Sequence, residues 1–366
     1  MTLPRRRRSP RKHVSPIMAT GLHVRHSQPR PSTVYDTLWR FACERQTVFF
    51  RRLAGEQPPW TRDPIIQDHR FTNTYRAADR VSQYLIRHVI YRDDLPSSDV
   101  DLFFRVVLFK LFNRIATWEM LQEAIGDITV SSFNFDKFAR VLTRAHSRGH
   151  KLYSAAYIMP STGVLGERIK HRGHLRLVER LLQEHVAEKV KHTTSLGAVF
   201  ALLRSYPTLG NFLAFQLSID LNYSTLTNFS EMDFVVAGPG AMDGLRKCFT
   251  SFGDYSESDM IRWVADRQES DTHALGLDFQ SLFGRRLQLV DVQNLFCEVG
   301  KYARVAHPGV RGTSDRTRIK QLYRPGQPLA RLFFPPKWRI NGAIPEKNMA
   351  DAGLAPNADQ SFMLGQ

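Results

Sequence analysis

Cysteine is scarce. Three residues in 366, Cys43, Cys248 and Cys297, lie far apart, with no CxxC pair or Cys/His cluster. This excludes a disulfide framework or zinc site as the organiser of the fold and suits a reducing compartment. No run of about 18 apolar residues occurs, so no spanning helix is expected. The first residues, MTLPRRRRSPRKHV, lack an apolar core and do not read as a secretory signal. A GxxxxGK(S/T) phosphate loop is also missing, which excludes a P-loop kinase within this sequence. The nearest Gly-rich segment, GPGAMDG (238–244), has neither the spacing nor the lysine. Strand patterns are few, the best being KLYSAAYIM (Lys151–Met159), and no internal repeat is visible.

What remains is basic, apolar and helical in period. Net charge is +16 and 42% of residues are hydrophobic, ample for a core. Residues 1–33 hold eight Lys/Arg and no acid, leaving 43 basic against 35 acidic residues elsewhere. Lys301–Arg339 holds ten Lys/Arg and one acid, Asp315. A body that stays basic without its tail suits a polyanionic partner, although a merely basic protein has the same composition. The PRRRRSPRK run fits a nuclear address, a DNA-clinging arm or a solvated tail; the expectation is nuclear in a eukaryote and cytoplasmic otherwise.

The organisation expected is a disordered basic tail (1–32), one mostly α domain (33–306), and a basic, Pro/Gly-rich, irregular C-terminal segment (307–366). Helices are expected at Thr33–Leu53, Asp68–Tyr91, Asp99–Glu123, Phe135–Ser147, His174–Lys191, Ser195–Arg204, Phe212–Leu221, Glu257–Gln268 and Leu289–Arg304.

Ser205–Phe249 is the most telling stretch. Leu209-Gly210 closes a tight turn, and Phe212–Leu221 climbs away as a helix with the small Ala214 where two helices must approach. Such a turn aims backbone N–H groups at a phosphate, which makes Thr208, Leu209, Gly210 and Asn211 candidate DNA contacts. A plain helical hairpin fits the same residues. Asp233 follows 23 residues after Gly210, nearly the place where helix-hairpin-helix DNA glycosylases carry an aspartate facing the flipped nucleotide. That resemblance makes it the candidate catalytic residue; a capping aspartate is the alternative. Asp220, inside the hairpin helix, reads as structural.

Polar stripes interrupt apolar helices. Lys110, Asn113, Arg114 and Thr117 share one face of the third helix, and Asn73, Arg76, Arg80 and Gln83 one face of the second. Asp291, Asn294, Glu298 and Lys301 line the last. Cations and amides on apolar helices need partners, a wet cavity or bulk solvent. Convergence of the three would build a pocket suited to a base edge or a phosphorylated substituent.

Five blocks carry a resemblance: PWTRDPIIQDHRFTNTYRAADRVSQYLI (59–86), FFRVVLFKLFNRIATWEML (103–121), YPTLGNFLAFQLSIDLNYS (206–224), DFVVAGPGAMDGL (233–245) and LQLVDVQNLFCEVGKYAR (287–304). Together they resemble the helical domain of 5-hydroxymethyluracil DNA kinases and alpha-glutamyl/putrescinyl thymine pyrophosphorylases, a family related to helix-hairpin-helix DNA glycosylases. The resemblance implies a double-stranded DNA substrate, a flipped 5-hydroxymethyluracil or its (pyro)phosphorylated form, and substitution at the 5-methylene carbon. A nucleotide, amino or polyamine co-substrate is expected with it, and no metal is expected. The missing phosphate loop, a departure from the family, points to a separate P-loop kinase as partner or to the later substitution step. Asn73, Arg76, Asp79, Arg80, Lys110, Asn113, Gly238, Gly240, Glu298 and Lys301 become its substrate-binding candidates. Phe212 stands where lyase-type glycosylases place a lysine, and Thr208 replaces the first hairpin glycine. Two alternatives stay open: a non-catalytic module that recognises a modified base or supports a partner kinase, and a monofunctional DNA glycosylase.

Overall fold

The computed structural model describes residues 25–155, 159–324, 329 and 331–348. The architecture is all-α apart from one two-stranded pairing. β1 (Arg30–Pro31) runs antiparallel to β2 (Phe249–Ser251). α1 (Thr33–Ala54) starts where Ser32 accepts from the Val34 N–H and stops at Gly55, φ 81°. Then come α2 (Pro64–Asp68), α3 (Arg80–Leu85), α4 (Asp99–Phe112), α5 (Ile115–Ile125), α6 (Phe135–Ser147), α7 (Lys170–Gln183) and α8 (Val186–Lys191). α9 (Leu196–Arg204) and α10 (Asn211–Asn222) form the helical hairpin. α11 (Pro239–Cys248), α12 (Glu257–Asp266), α13 (Gln268–Ala274) and α14 (Leu289–Ala306) complete the domain.

α4 and α10 are buried almost all round and form its centre. The C-terminal segment closes over them: Leu332 and Phe334 are buried, and Phe333 donates its N–H to Gln83 Oε1.

Four elements differ from expectation. His174–Lys191 is not one helix but breaks between α7 and α8 at His185, φ 51°. Asp68–Tyr91 is not one helix, because Asn73 and Asp79 satisfy backbone groups that a helix would need. The Asn73 N–H donates to Asp79 Oδ1 and Asn73 Nδ2 to the Ala78 carbonyl, so 69–75 stays irregular. Asp99–Glu123 breaks at Asn113, φ 48°, a left-handed conformation that asparagine tolerates. Lys110 and Thr117 therefore sit on different helices, so the stripes expected on the second and third helices are not continuous faces, whereas Asp291, Asn294, Glu298 and Lys301 all lie on the unbroken α14. Lys151–Met159 forms no strand over its described residues; 156–158 lie outside them. One helix, α11, was hidden behind the glycines of GPGAMDGLRKC.

Residues 25–31 lie along the domain rather than free of it. The His26 and Ser27 N–H groups donate to Asp254 Oδ2, and Arg25 pairs with Asp259. The PRRRRSPRK run and the chain's last 18 residues lie outside the described residues.

Candidate nucleic-acid interface and buried polar cluster

The hairpin turn, Ser205–Gly210, borders a surface groove of about 530 Å³ lined by Arg180, Arg204, Thr208, Leu209 and Gly210 among others. The strained residue is Thr208 (φ 72°), not Gly210, whose φ of −68° is ordinary. Thr208 Oγ1 is buried without a hydrogen-bond partner among the described residues. Gly210 is the N-cap of α10 and has no side chain to cap with, so the first N–H groups of α10 lack a side-chain acceptor there. A side chain at Gly210 would meet nothing within 4 Å, so the backbone there is open to approach. Asn211 Oδ1 accepts from Arg204 Nε at 2.6 Å and ties the two helices together.

Beneath this turn the polar residues of α10 lead inward. Gln216, Asp220 and Tyr223 follow at i, i+4 and i+7, one helix face. Arg76 meets all three: Nε donates to Gln216 Oε1 (3.0 Å), Nη1 to the Tyr223 hydroxyl (2.9 Å) and Nη2 to Asp220 Oδ1 (2.6 Å). Lys110 Nζ lies 2.8 Å from Asp220 Oδ2. All five are buried. Burial alone would raise the Asp220 carboxyl, but Arg76 and Lys110 hold it below the usual carboxylate range. The Arg76 N–H donates to Asp291 Oδ1, whose pKa is pushed up to about 6, chiefly by loss of hydration.

A second group lies along the same irregular segment. Asn73 and Asp79 are joined as above, and Arg45 reaches the Thr72 carbonyl and Asn73 Oδ1. Glu298 Oε2 accepts the Thr72 N–H at 3.0 Å and pairs with Lys301 Nζ at 2.6 Å. Loss of hydration raises the partly exposed Asp79 carboxyl to about 7. The broken second helix and α14 thus bring Asn73, Arg76, Asp79, Glu298 and Lys301 together, and α4 adds Lys110 through Asp220.

Other candidates lie elsewhere. Asn113 is buried at the α4 terminus, and Arg80 is exposed. Gly238 and Gly240 are packing positions: a Cβ at the first would meet the Phe212 ring at 2.5 Å, and one at the second would meet the Cys297 sulfur. Asp233 is exposed, its carbonyl accepting from Arg262 Nη2. It is fixed beside the hairpin by Phe234, which packs on Phe200 of α9 and Phe215 of α10.

The family model described as "5-hmdU DNA kinase, helical domain" matches residues 32–312. The chain belongs to this family. A curated relative, the 5-hmdU DNA kinase of Bacillus phage SP10, is 25% identical over 304 residues, 77% of this chain and 47% of the relative. The chain therefore spans about half the relative's length. No solved structure matches. The 5-hmdU DNA kinase helical-domain match takes in the hairpin, both polar groups and Asp233, but stops before the segment that carries Lys337 and Trp338.

That segment and its neighbours are what sequence reasoning missed. Glu231 is buried, with Arg285 Nη2 3.3 Å from Oε2 and Oε1 unpartnered among the described residues; loss of hydration raises its carboxyl. Lys337 Nζ donates to the Ser224 and Thr227 carbonyls, and burial lowers it to about 8. Arg285 stacks on the Trp338 ring at 3.8 Å. The spacing of Gln216, Asp220 and Tyr223 on an apolar helix was the available signal for Arg76's partners. Nothing local marks Lys337.

Proposed function

We propose that this chain holds duplex DNA carrying 5-hydroxymethyluracil, or its phosphorylated form, and serves thymine hypermodification at the 5-methylene carbon. Membership of the 5-hmdU DNA kinase helical-domain family carries the reading, since the phage relative is named for that base in DNA. Its name also specifies a kinase. This sequence has no phosphate loop, so the reading assigns phosphoryl transfer to a P-loop unit outside these residues, and to this chain DNA holding and substitution. In that substitution a nucleophile, an amino acid or polyamine amine, bonds to the 5-methylene carbon as the C–O bond to phosphate or pyrophosphate breaks.

The N-terminus of α10, flanked by Arg180 and Arg204, suits a strand phosphate. The target base leaves the stack, at a cost of a few kcal/mol recovered in its contacts with the protein. Asp233, exposed beside the hairpin, orients the nucleophile. Arg76 and Lys110 are engaged by Asp220 and stiffen the wall, whereas Arg80 and Lys301 are placed nearer the surface to meet a leaving phosphate.

Mass spectrometry of digested nucleosides tests this. Duplexes with 5-hydroxymethyluracil or its 5-phosphorylated form are incubated with the protein, ATP, amino acids and polyamines. A new nucleoside is expected, reduced on the order of 100-fold or more by Asp233→Asn with duplex affinity retained. Free base would indicate a glycosylase. The exposure of Asp233 favours one second reading, a non-catalytic module that recognises the modified base; binding without any product would establish it.

A further inference from the structure

We propose that the outward face of α6 is a second contact surface for the phosphate backbone of duplex DNA, apart from the α9–α10 turn. The inference rests on the DNA reading above and adds the path of the duplex across the protein.

α6 buries Phe135, Phe138, Ala139, Leu142 and Ala145. Its other face exposes Lys137, Arg140, Arg144 and Arg148, with Lys151 just beyond. Steps of three, four and four residues align the first four on one face, over about 16 Å at 1.5 Å per residue. The helix has a single acid, Asp136, in its first turn. None of the five cations forms an ion pair among the described residues.

The neighbouring helix is the informative contrast. α7 is similarly arginine-rich, yet its arginines are matched: Arg172 and Arg176 with Glu167, Arg176 with Glu179, and Arg180 with Glu184. On α6, Arg140, Arg144 and Arg148 instead repeat at i, i+4, the spacing at which like charges destabilise a helix. A row of one sign on a rigid helix matches a duplex, which presents about one phosphate charge per 1.7 Å of axis. The residues between the cations, Thr143, His146 and Ser147, are polar and exposed, so the face offers charge but no apolar anchor of the kind a protein partner needs.

Its position suits the same duplex that the hairpin holds. Thr143 Oγ1 is hydrogen-bonded to His171, and Arg176 lies 3.6 Å over the Phe135 ring, so α6 and α7 are antiparallel. The N-terminal end of α6, where the row starts, therefore packs at Arg176, one turn from Arg180, which lines the groove at the hairpin.

Fluorescence anisotropy with a duplex oligonucleotide tests the surface. The quadruple variant Lys137→Gln, Arg140→Gln, Arg144→Gln, Arg148→Gln is compared with a charge-matched control, Arg311, Arg316, Arg318 and Lys320 to Gln. Thermal unfolding verifies that both remain folded. The α6 variant is expected to bind roughly 30-fold more weakly at about 150 mM salt, with the slope of log K against log salt shallower by three to four. The control is expected to change both far less. Unchanged affinity and slope in the α6 variant, or an equal loss in the control, would overturn the proposal while leaving DNA binding intact. Failure of the wild-type chain to bind duplex at all would instead remove the DNA reading on which it rests.

Discussion

Thr208 holds a backbone conformation (φ 72°) that a β-branched residue adopts only under constraint, and its hydroxyl is buried without a partner. Replacement by glycine should relieve that strain and raise stability by about 0.5–1 kcal/mol, read from urea midpoints. A loss of stability would mean that the hydroxyl is engaged. Asp220 is the opposite case, with its carboxylate shared by Arg76 and Lys110. Asp220→Ala strands two buried cations and should cost about 3–5 kcal/mol; a loss under about 1 kcal/mol would show that water reaches them. The residue scale is also where the sequence misled. Arg76 and Lys110 read as pocket walls because their counter-ion, 110 or more residues further along the chain, reads as an ordinary helix residue until the fold brings it to them. Asp233 was singled out by its place after Gly210 in the family pattern, which carries no information about exposure.

At the scale of elements, helices with an apolar period and a cap at one end were legible: Phe135–Ser147 is found as expected, with Asn134 capping its start. Breaks were not, because Asn73, Asp79 and Asn113 act through hydrogen bonds and left-handed backbone that periodicity does not register. Glycine misled in the other direction. Gly240, Gly244 and Gly300 let α11 lie close against α14, so the segment is a helix despite its composition. A methyl group at Gly244 would collide with the Phe296 carbonyl, and Gly244→Ala should cost about 3 kcal/mol or more. Gly210→Ala, with open space around it, should cost about 1 kcal/mol or less. If the proposed strand contact is made there, it should also weaken duplex binding several-fold, because the added methyl would stand in the path of a phosphate at the α10 N-terminus. Unchanged affinity for Gly210→Ala in the same anisotropy assay would argue against the hairpin as the strand contact.

For the whole molecule, charge and protonation are the observable quantities. Asp79 has a folded pKa of about 7 against an ordinary 3.8, so between those values the native state binds more protons than the unfolded chain. Its contribution is complete below about pH 4 and is lost as pH rises through 7. His171 and His174, lowered by burial to about 4 and about 3, give a slope of opposite sign at acid pH, so the effect is best read as a difference. Asp79→Asn should gain stability relative to the parent from pH 5 to pH 8, measured by denaturant midpoints at each pH; a constant gap would show that Asp79 titrates normally. The basic excess was plain in the composition, but its division between paired α7 and unpaired α6 needed the fold.

The central claim is that the chain engages duplex DNA at 5-hydroxymethyluracil. Its most direct test is competition between two otherwise identical duplexes, one with thymine and one with 5-hydroxymethyluracil at a single position. A preference of about tenfold for the hydroxymethylated duplex is expected, the size of one hydrogen bond gained at an unstacked base. Equal affinity for the two duplexes, or none for either, would contradict the account.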